Sequence, residues 1–373
     1  MAARATADVV IVGAGIAGCA VAYELTRLGV RPLIVEREGV ASGASGGALG
    51  DLNTQTGAGL DGPLFALART SLEMHGDMYG LLREETGFDS ALRMIPSLMV
   101  AMDDSDVARL RAEVTRLRGL GFESDWLTAR EVRALEPSLS PETGGAVRTQ
   151  GMGMLAASVL TTSLLHAAEG RGATLRHGEV RGLEWDGDRV VGVTVGDERV
   201  SCGSVVLAVG PWSARLGAWL GTPVPVRPVK GQIVQLRVPG APVGHYISWD
   251  DTYAVSKEGG LTWTGTTMEE AGFDVTPTLE VRDDILRRVH RLLSGFAEAE
   301  VVRQTACLRP VTDDGLPIMG AAPTCRGVYV ATGGGRKGIL LGPVMGKAVA
   351  DLVVHGATDL PIEPLGLDRF ATG

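Results

Sequence analysis

Lysine and cysteine are scarce in this 373-residue chain: four lysines stand against 31 arginines, and the four cysteines (Cys19, Cys202, Cys307, Cys325) form no CxxC pair. No histidine lies at metal-ligand spacing beside those cysteines, so zinc is not expected and the pattern reads as a reduced, cytoplasmic chain without disulfides. Basic residues are dispersed over a net charge of −9, which leaves no track for a nucleic acid. No apolar run reaches the ~18 residues that span a bilayer. The N-terminal apolar stretch holds Asp8, Glu24 and a Gly-rich turn, and so does not read as a targeting segment. Neither a Ser/His/Asp set nor paired carboxylates point to hydrolysis, and Asp313 and Asp314 read as turn residues before Gly315.

Glycine, by contrast, is abundant. There are 52 glycines, about twice average usage, and no Gly-X-Y period runs through them. They cluster at sharp loops, as in an α/β protein whose backbone must approach a ligand closely. A 45% hydrophobic and 21% charged composition excludes disorder, and the length predicts two domains at about 150 residues each, one of them enlarged.

The first forty residues carry a specific pattern. Asp8–Val12 (DVVIV) reads as a buried parallel strand, followed by Gly13-Ala14-Gly15-Ile16-Ala17-Gly18, a helix that stops at Gly29, and a second strand ending at Glu36. Gly13 makes the tight turn, Gly15 admits a pyrophosphate against bare backbone, and Gly18 lets the helix pack on the strand. The helix N-terminus offers unpaired N–H groups and a positive dipole end. Glu36 is placed for the ribose hydroxyls and disfavours the 2′-phosphate of NADP. These residues leave FAD and NAD both open.

Further along, Ser42–Gly50 (SGASGGALG) is a small-residue loop suited to wrapping a ligand. Helices are expected at 64–85, 106–118, 128–135, 158–169, 281–293 and 339–354, and strands within 91–102, 175–180, 183–185, 190–195, 204–213 and 327–332. Residues 229–268 alternate as an antiparallel sheet of three strands: VKGQIVQLRV, HYISWDDTYAVS and LTWTGTT. The alternation divides the chain into a layered α/β domain (1–88, 146–218, 304–373) and an α+β domain (89–145, 219–303).

Five motifs then occur in order: GAGIAG, VVLAVGPWS, PVKGQ (228–232), LRPVTDDGLPIMG (308–320) and ATGGGRKGILLGPVMGKAVADLV (331–353). Together they resemble the D-amino acid oxidase family of amine-oxidising flavoproteins, most of all its glycine oxidase-like and sarcosine oxidase-like members. The resemblance implies a Rossmann-like, glutathione-reductase-like FAD-binding domain and a substrate domain with an antiparallel sheet. It implies FAD rather than NAD. Beside it stands a second Gly-rich strand–loop–helix at 327–354, whose N–H groups near Gly338, Ile339 and Leu340 can favour the anionic edge of a reduced flavin. The bland alternative for this segment is a plain βα unit.

By resemblance, the cofactor residues are Gly13, Gly15, Ile16, Ala17, Gly18, Glu36 and Arg37 near the start. Ser42, Ser45, Gly46, Gly47 and Ala48 follow in the small-residue loop. Val180, Ala208, Gly210 and Trp212 come from the middle, and Gly333, Gly334, Gly335, Arg336, Lys337, Gly338, Ile339 and Leu340 from the last loop. Arg309, in the LRP motif, matches the family's substrate-carboxylate arginine, a planar fork suited to that group. Tyr253 is either a carboxylate ligand or a buried core residue, with Tyr246 its runner-up. Arg336 matches an arginine of the last loop, where Gly334 and Gly335 replace a His and an aromatic; this departure is expected to open or loosen the pocket. Trp249, Trp263 and Met268 are either pocket wall or core. Cys307 sits two residues before Arg309, the spacing of covalent flavin attachment in sarcosine oxidase-like members. The following Leu308-Arg309-Pro310 is instead the non-covalent pattern.

The implied reaction is oxidation of a small carboxylate-bearing amine (glycine, a D-amino acid or an N-methyl amino acid such as sarcosine). Hydride passes from Cα–H to flavin N5, and the imino acid hydrolyses to a 2-oxo acid. Dioxygen or a quinone would accept the electrons, and a homo-oligomer is a family expectation. One rival is a flavin-dependent 2-hydroxy acid dehydrogenase, which needs a base, with His245 and Asp250 as candidates. The other is a non-catalytic flavin-binding assembly or sensor protein.

Overall fold

The computed structural model describes residues 5–57 and 62–370. They form two compact units: 1–92 with 155–229 and 308–373, and 93–154 with 230–307. The expected boundaries therefore shift. Residues 146–154 and 304–307 belong to the second unit, while 89–92 and 219–229 belong to the first. Strand continuity explains the shift of 146–154, since Gly145–Met154 is one strand paired with Arg93–Ala101 along nearly its whole length. Residues 1–4, 58–61 and 371–373 of the expected first domain lie outside the described residues.

The first unit is built on an eight-stranded sheet. Its central order is Ile318–Ala321, Val328–Thr332, Glu198–Leu207, Ala5–Val12, Leu33–Glu36 and Thr174–His177, and the hairpin Val180–Asp186/Arg189–Val195 joins through Glu198–Leu207. Val9 to Val12 are all buried, as expected of a central parallel strand covered on both faces. Four helices pack together in one core: α1 (Ile16–Arg27), α2 (Leu64–Thr86), α3 (Ala157–Gly170) and α4 (Gly338–His355). Contrary to the expectation that no segment is long and apolar enough to cross a bilayer, Gly335–His355 is. Two thirds of its most apolar window is buried in the protein, and its buried side chains, Ile339 to Met345 and Ala348 to Ala350, belong to this core.

Parallel pairing aligns Val12 with Val35 and with Leu207, and Leu207 with Val330. The loops beginning at Gly13, Arg37, Ala208 and Gly333 therefore leave the sheet at one edge, outside the carboxyl ends of the strands, where open α/β sheets bind ligands.

In the second unit the strands run in the order Glu300–Thr312, Val226–Arg237, Thr262–Gly265, Thr252–Ser256, Tyr246–Trp249, Arg93–Ala101 and Gly145–Met154, with Ser124–Thr128 also on the last. Leu98, Val234, Leu236, Ile247 and Ala254 form a core with Ile285, Val289 and Leu292 of the helix Leu279–Leu292. Two expectations fail here. HYISWDDTYAVS is not one strand: it folds back at Asp250, whose φ of +51° is left-handed, and Ser248 pairs with Tyr253. Aspartate tolerates that conformation and favours turns. The sheet is also mixed, because Tyr246–Trp249 runs parallel to Arg93–Ala101.

Candidate active site

The three glycines of the first turn differ in what confines them. At Gly13 (φ +104°) a Cβ would lie 2.5 Å from the Ala208 carbonyl oxygen, and at Gly18 it would lie 2.0 Å from that of Gly13. Both positions are closed to any side chain by backbone. At Gly15 the nearest atom is Ser45 Oγ at 3.3 Å, so the backbone there is bare toward the strand-end edge. The Ile16 N–H donates to Ser45 Oγ (2.9 Å), and Ala14 N–H donates to Glu36 Oε2 (2.8 Å). Glu36 is thus drawn back to the turn.

Around this turn the loops close tightly. Gly46 abuts the Ala41 carbonyl, which places Ser42, Gly47 and Ala48 in a compact bend about the helix Ala44–Gly47. The Arg37 guanidinium stacks 4.1 Å from the Trp212 ring centroid, and Gly43 leaves room beneath that ring. Gly210 (φ +55°) opens the turn after the strand that ends at Leu207. Val180 is buried in the core of the opposite sheet face with Val193 and Val195.

The second Gly-rich loop lies on the same edge. Gly333 (φ +75°) faces Thr312, and Val311 bridges Gly334, so the end of the strand carrying half-buried Arg309 runs beside the loop. At Gly334 a Cβ would lie 2.7 Å from Gly338 Cα. The loop is wound too tightly at Gly334 for a side chain, whereas at Gly335 the nearest atom is the Pro310 carbonyl oxygen at 4.0 Å. Arg336 is exposed. Lys337 folds inward, donates from Nζ to the Asn53 carbonyl (2.8 Å), and presses its Cε against Gly57 (φ +116°). Burial pulls its pKa down to about 8, with the nearby Arg336 cation adding to the fall and Asp51 opposing it.

Two features were not read from the sequence. Gly342 of α4 meets Ile16 of α1, where a Cβ would be 2.5 Å from Cγ1, and Gly346 meets Ala20 at 2.7 Å. The matching four-residue steps run in the same direction, so the two helices are parallel and in backbone contact. Their N-termini lie side by side, and neither has an acidic residue in its first turn. Two adjacent positive dipole ends repel one another and are balanced by bound negative charge. Small residues at i, i+4 (Gly342, Gly346) were the available signal. The second feature is the buried pair Ser71 and His75 of α2, which bond to α4.

In the second unit, Tyr253 is buried and stacks on Tyr246 with centroids 5.7 Å apart, its hydroxyl beside Gly265. Trp249 donates to Asp106 (3.0 Å) under the Arg291 guanidinium, and Lys257 caps the Trp263 ring. Met268 follows the last of these strands and is 51% exposed, so it is not core. His245 Nδ1 is 2.5 Å from Glu136 Oε1, which also accepts from Gly244 N–H, and Asp250 is the exposed turn residue. Glu136 thus holds the Nδ1 side of His245, while the Asp250 carboxylate is exposed at its turn. Asp314 caps the Leu316 N–H and pairs with Arg369, the turn role expected of it. No cluster of potential metal ligands occurs among the described residues.

A bare glycine backbone at one helix start, a second uncapped helix start beside it, and loops that close around both fit a dinucleotide with a ring system. The model of the FAD dependent oxidoreductase family matches residues 8–352. The chain is 35% identical to a glycine oxidase of Geobacillus kaustophilus (strain HTA426) over 97% of each protein. It superposes on a crystal structure of glycine oxidase from that species with TM-score 0.94, at 34% identity, covering 99% of this chain and 100% of the other. An iminodiacetate oxidase from Chelativorans sp. BNC1 matches with TM-score 0.88 at 27% identity, over 96% of this chain and 98% of that one. The paired helix ends and the glycine turns are therefore those of a member of the FAD dependent oxidoreductase family.

Proposed function

We propose that the chain oxidises a small amino acid (glycine, a D-amino acid or an N-methylated one) with FAD, and that the first unit holds the FAD. The observation that carries this reading is the edge where the starts of α1 and α4 lie side by side and the Arg309 strand runs against the Gly333–Gly335 loop. A glycine oxidase and an iminodiacetate oxidase among the relatives support the substrate class. The second unit is assigned to substrate binding.

In this reading the N–H groups of Gly15, Ile16 and Ala17 would hold the diphosphate, the Ile16 N–H turning to it from Ser45 Oγ as Glu36 turns from the Ala14 N–H to the ribose hydroxyls. Arg37 and Trp212 form a flat wall, and the Gly338–Leu340 N–H groups would hold the flavin and favour its reduced, anionic form. Cys307 is a half-buried thiol with no part in holding the cofactor, which is bound without a covalent link. Bound FAD supplies the acceptor for the hydride of the substrate Cα–H.

Arg309 binds the substrate carboxylate through its two-pronged guanidinium and fixes which Cα–H faces the ring. No side-chain base is required when the amine arrives neutral. A 2-hydroxy acid substrate, whose hydroxyl proton must be removed, would need a base such as His245 Nε2 or Asp250 at the ring. Dioxygen or a quinone would serve as the final electron acceptor.

Anaerobic titration of the FAD-loaded chain with glycine, sarcosine, D-amino acids and 2-hydroxy acids tests the proposal. One of the amino acids is expected to bleach the flavin's visible absorption. Bleaching by a hydroxy acid alone, or by nothing in the panel, would overturn it.

A further inference from the structure

Pro343 lies inside α4 and has no N–H, so the Ile339 carbonyl loses the donor that residue i+4 normally provides. Ile339 and Leu340 are buried, and a buried carbonyl left without a donor is as costly as a lost hydrogen bond. Helix α2 supplies the missing donor from outside. His75 Nε2 lies 3.0 Å from the Ile339 oxygen and 3.1 Å from the Leu340 oxygen. Carbonyl oxygens only accept, so the ring proton resides on Nε2. Burial brings the His75 pKa down to about 4, which keeps the ring neutral at neutral pH.

One helical turn earlier, Ser71 Oγ donates to the Leu340 oxygen (2.6 Å) and accepts from the Val344 N–H (3.4 Å). Its hydroxyl thus bridges the two ends of the Leu340–Val344 step of the ladder. An inserted side chain of this kind fixes the course of a helix.

The peptide group that His75 bonds has two ends. Its carbonyl is that of Ile339 and its N–H is that of Leu340, one of the N–H groups that a helix start leaves for a ligand. A donor on the carbonyl polarises the whole peptide group and strengthens its N–H.

We infer that Ser71 and His75 are positioning residues for the flavin: they splice the proline-opened ladder of α4, fix its first turn and polarise the Leu340 N–H, and so raise the preference for reduced over oxidised FAD. This rests on the reading that the start of α4 faces the flavin.

The test uses the full-length, FAD-loaded chain and two readouts, the two-electron potential of the flavin and amide exchange across Gly338–Met345. His75→Leu is expected to lower the reduced-over-oxidised preference about tenfold, a fall of about 30 mV at two electrons. Exchange in that segment should rise about tenfold while α1 stays protected. His75→Gln, which keeps an N–H donor, should recover most of both effects. Should His75→Leu fail to fold, Ser71→Ala removes only the hydroxyl and is expected to shift both readouts about threefold. Faster exchange with an unmoved potential would overturn the inference by showing that this helix end does not face the flavin. Unmoved exchange would overturn it with that reading intact, because the splice would then hold nothing.

Discussion

At the start of the chain, a strand, three spaced glycines and an unbroken twelve-residue helix present an N-terminus to the ligand edge. Near its end, a strand, three consecutive glycines and an eighteen-residue helix carrying Pro343 do the same. The first is self-contained: backbone closes on backbone at Gly13 and Gly18, and one side chain, Ser45, enters the helix start. The second is held from outside by Lys337 on the Asn53 carbonyl and by Ser71 and His75 on the opened ladder. The contrast separates a glycine turn closed chiefly by backbone from a helix end held by side chains of other segments.

The largest expected effect concerns the residue that the second segment keeps beside the site. Arg309→Ala should lose about 3–5 kcal/mol of substrate interaction, some 100- to 4,000-fold in kcat/KM, with FAD content unchanged. Steady-state rates on the bleaching substrate measure it, and a loss below about tenfold would remove Arg309 as the carboxylate ligand.

Two substitutions break the first segment in different ways. Gly15→Val keeps an allowed backbone (φ −78°, ψ −177°) with only Ser45 Oγ nearby. It should fold and yet bind FAD about 100-fold more weakly, near 3 kcal/mol. Gly18→Ala drives a Cβ into the Gly13 carbonyl and should instead lower stability. Fluorescence titration of FAD together with denaturant unfolding distinguishes the two.

The side chain that holds the second segment carries a pH signature in the acid range. Unfolded His75 takes its proton near pH 6.5, and the folded group, depressed by burial, near pH 4. Between those values the unfolded chain binds the extra proton, so stability falls as the pH drops from 6.5 to 4. Relative to His75→Gln, the wild type should lose on the order of 3 kcal/mol between pH 7 and pH 4. Equal slopes in denaturant unfolding would contradict a buried neutral His75.

Lys337 gives the smallest effect. Its ammonium is held at a cost in the FAD-free chain, since burial takes its pKa from 10.5 to about 8. Lys337→Met should stabilise that chain by about 2 kcal/mol at pH 7, the ~3 kcal/mol of that shift less about 1 kcal/mol for the lost bond to the Asn53 carbonyl. The gain should shrink toward pH 10, because between pH 8 and 10.5 only the unfolded chain keeps the proton and wild-type stability rises. Unfolding measured at both pH values checks it.

The sequence made the first segment legible because each glycine's constraint comes from residues a few positions away or from the adjoining strand. Most helices and strands were legible for the same reason, through period and caps; the box of Thr128 and Glu131 at Ala129–Leu135 is one case. The turn at Asp250 was signalled by Asp-Asp and passed over, because the apolar alternation on both sides reads through it. Ser71 and His75 had no local signal at all. They act on residues 264 to 273 positions away, and only the packing of α2 on α4 reveals that Pro343 needs them. The commitments of Trp249 to Asp106 and of His245 to Glu136 were hidden by the same kind of separation.

The central claim, that the two adjacent helix starts serve one cofactor, is tested most directly by a crystal structure of the chain with FAD bound. It should place diphosphate oxygens within hydrogen-bond reach, about 2.7–3.2 Å, of the Gly15–Ala17 N–H groups, and the flavin's pyrimidine edge within the same reach of the Leu340 N–H. A flavin ring bound away from the start of α4 would contradict it.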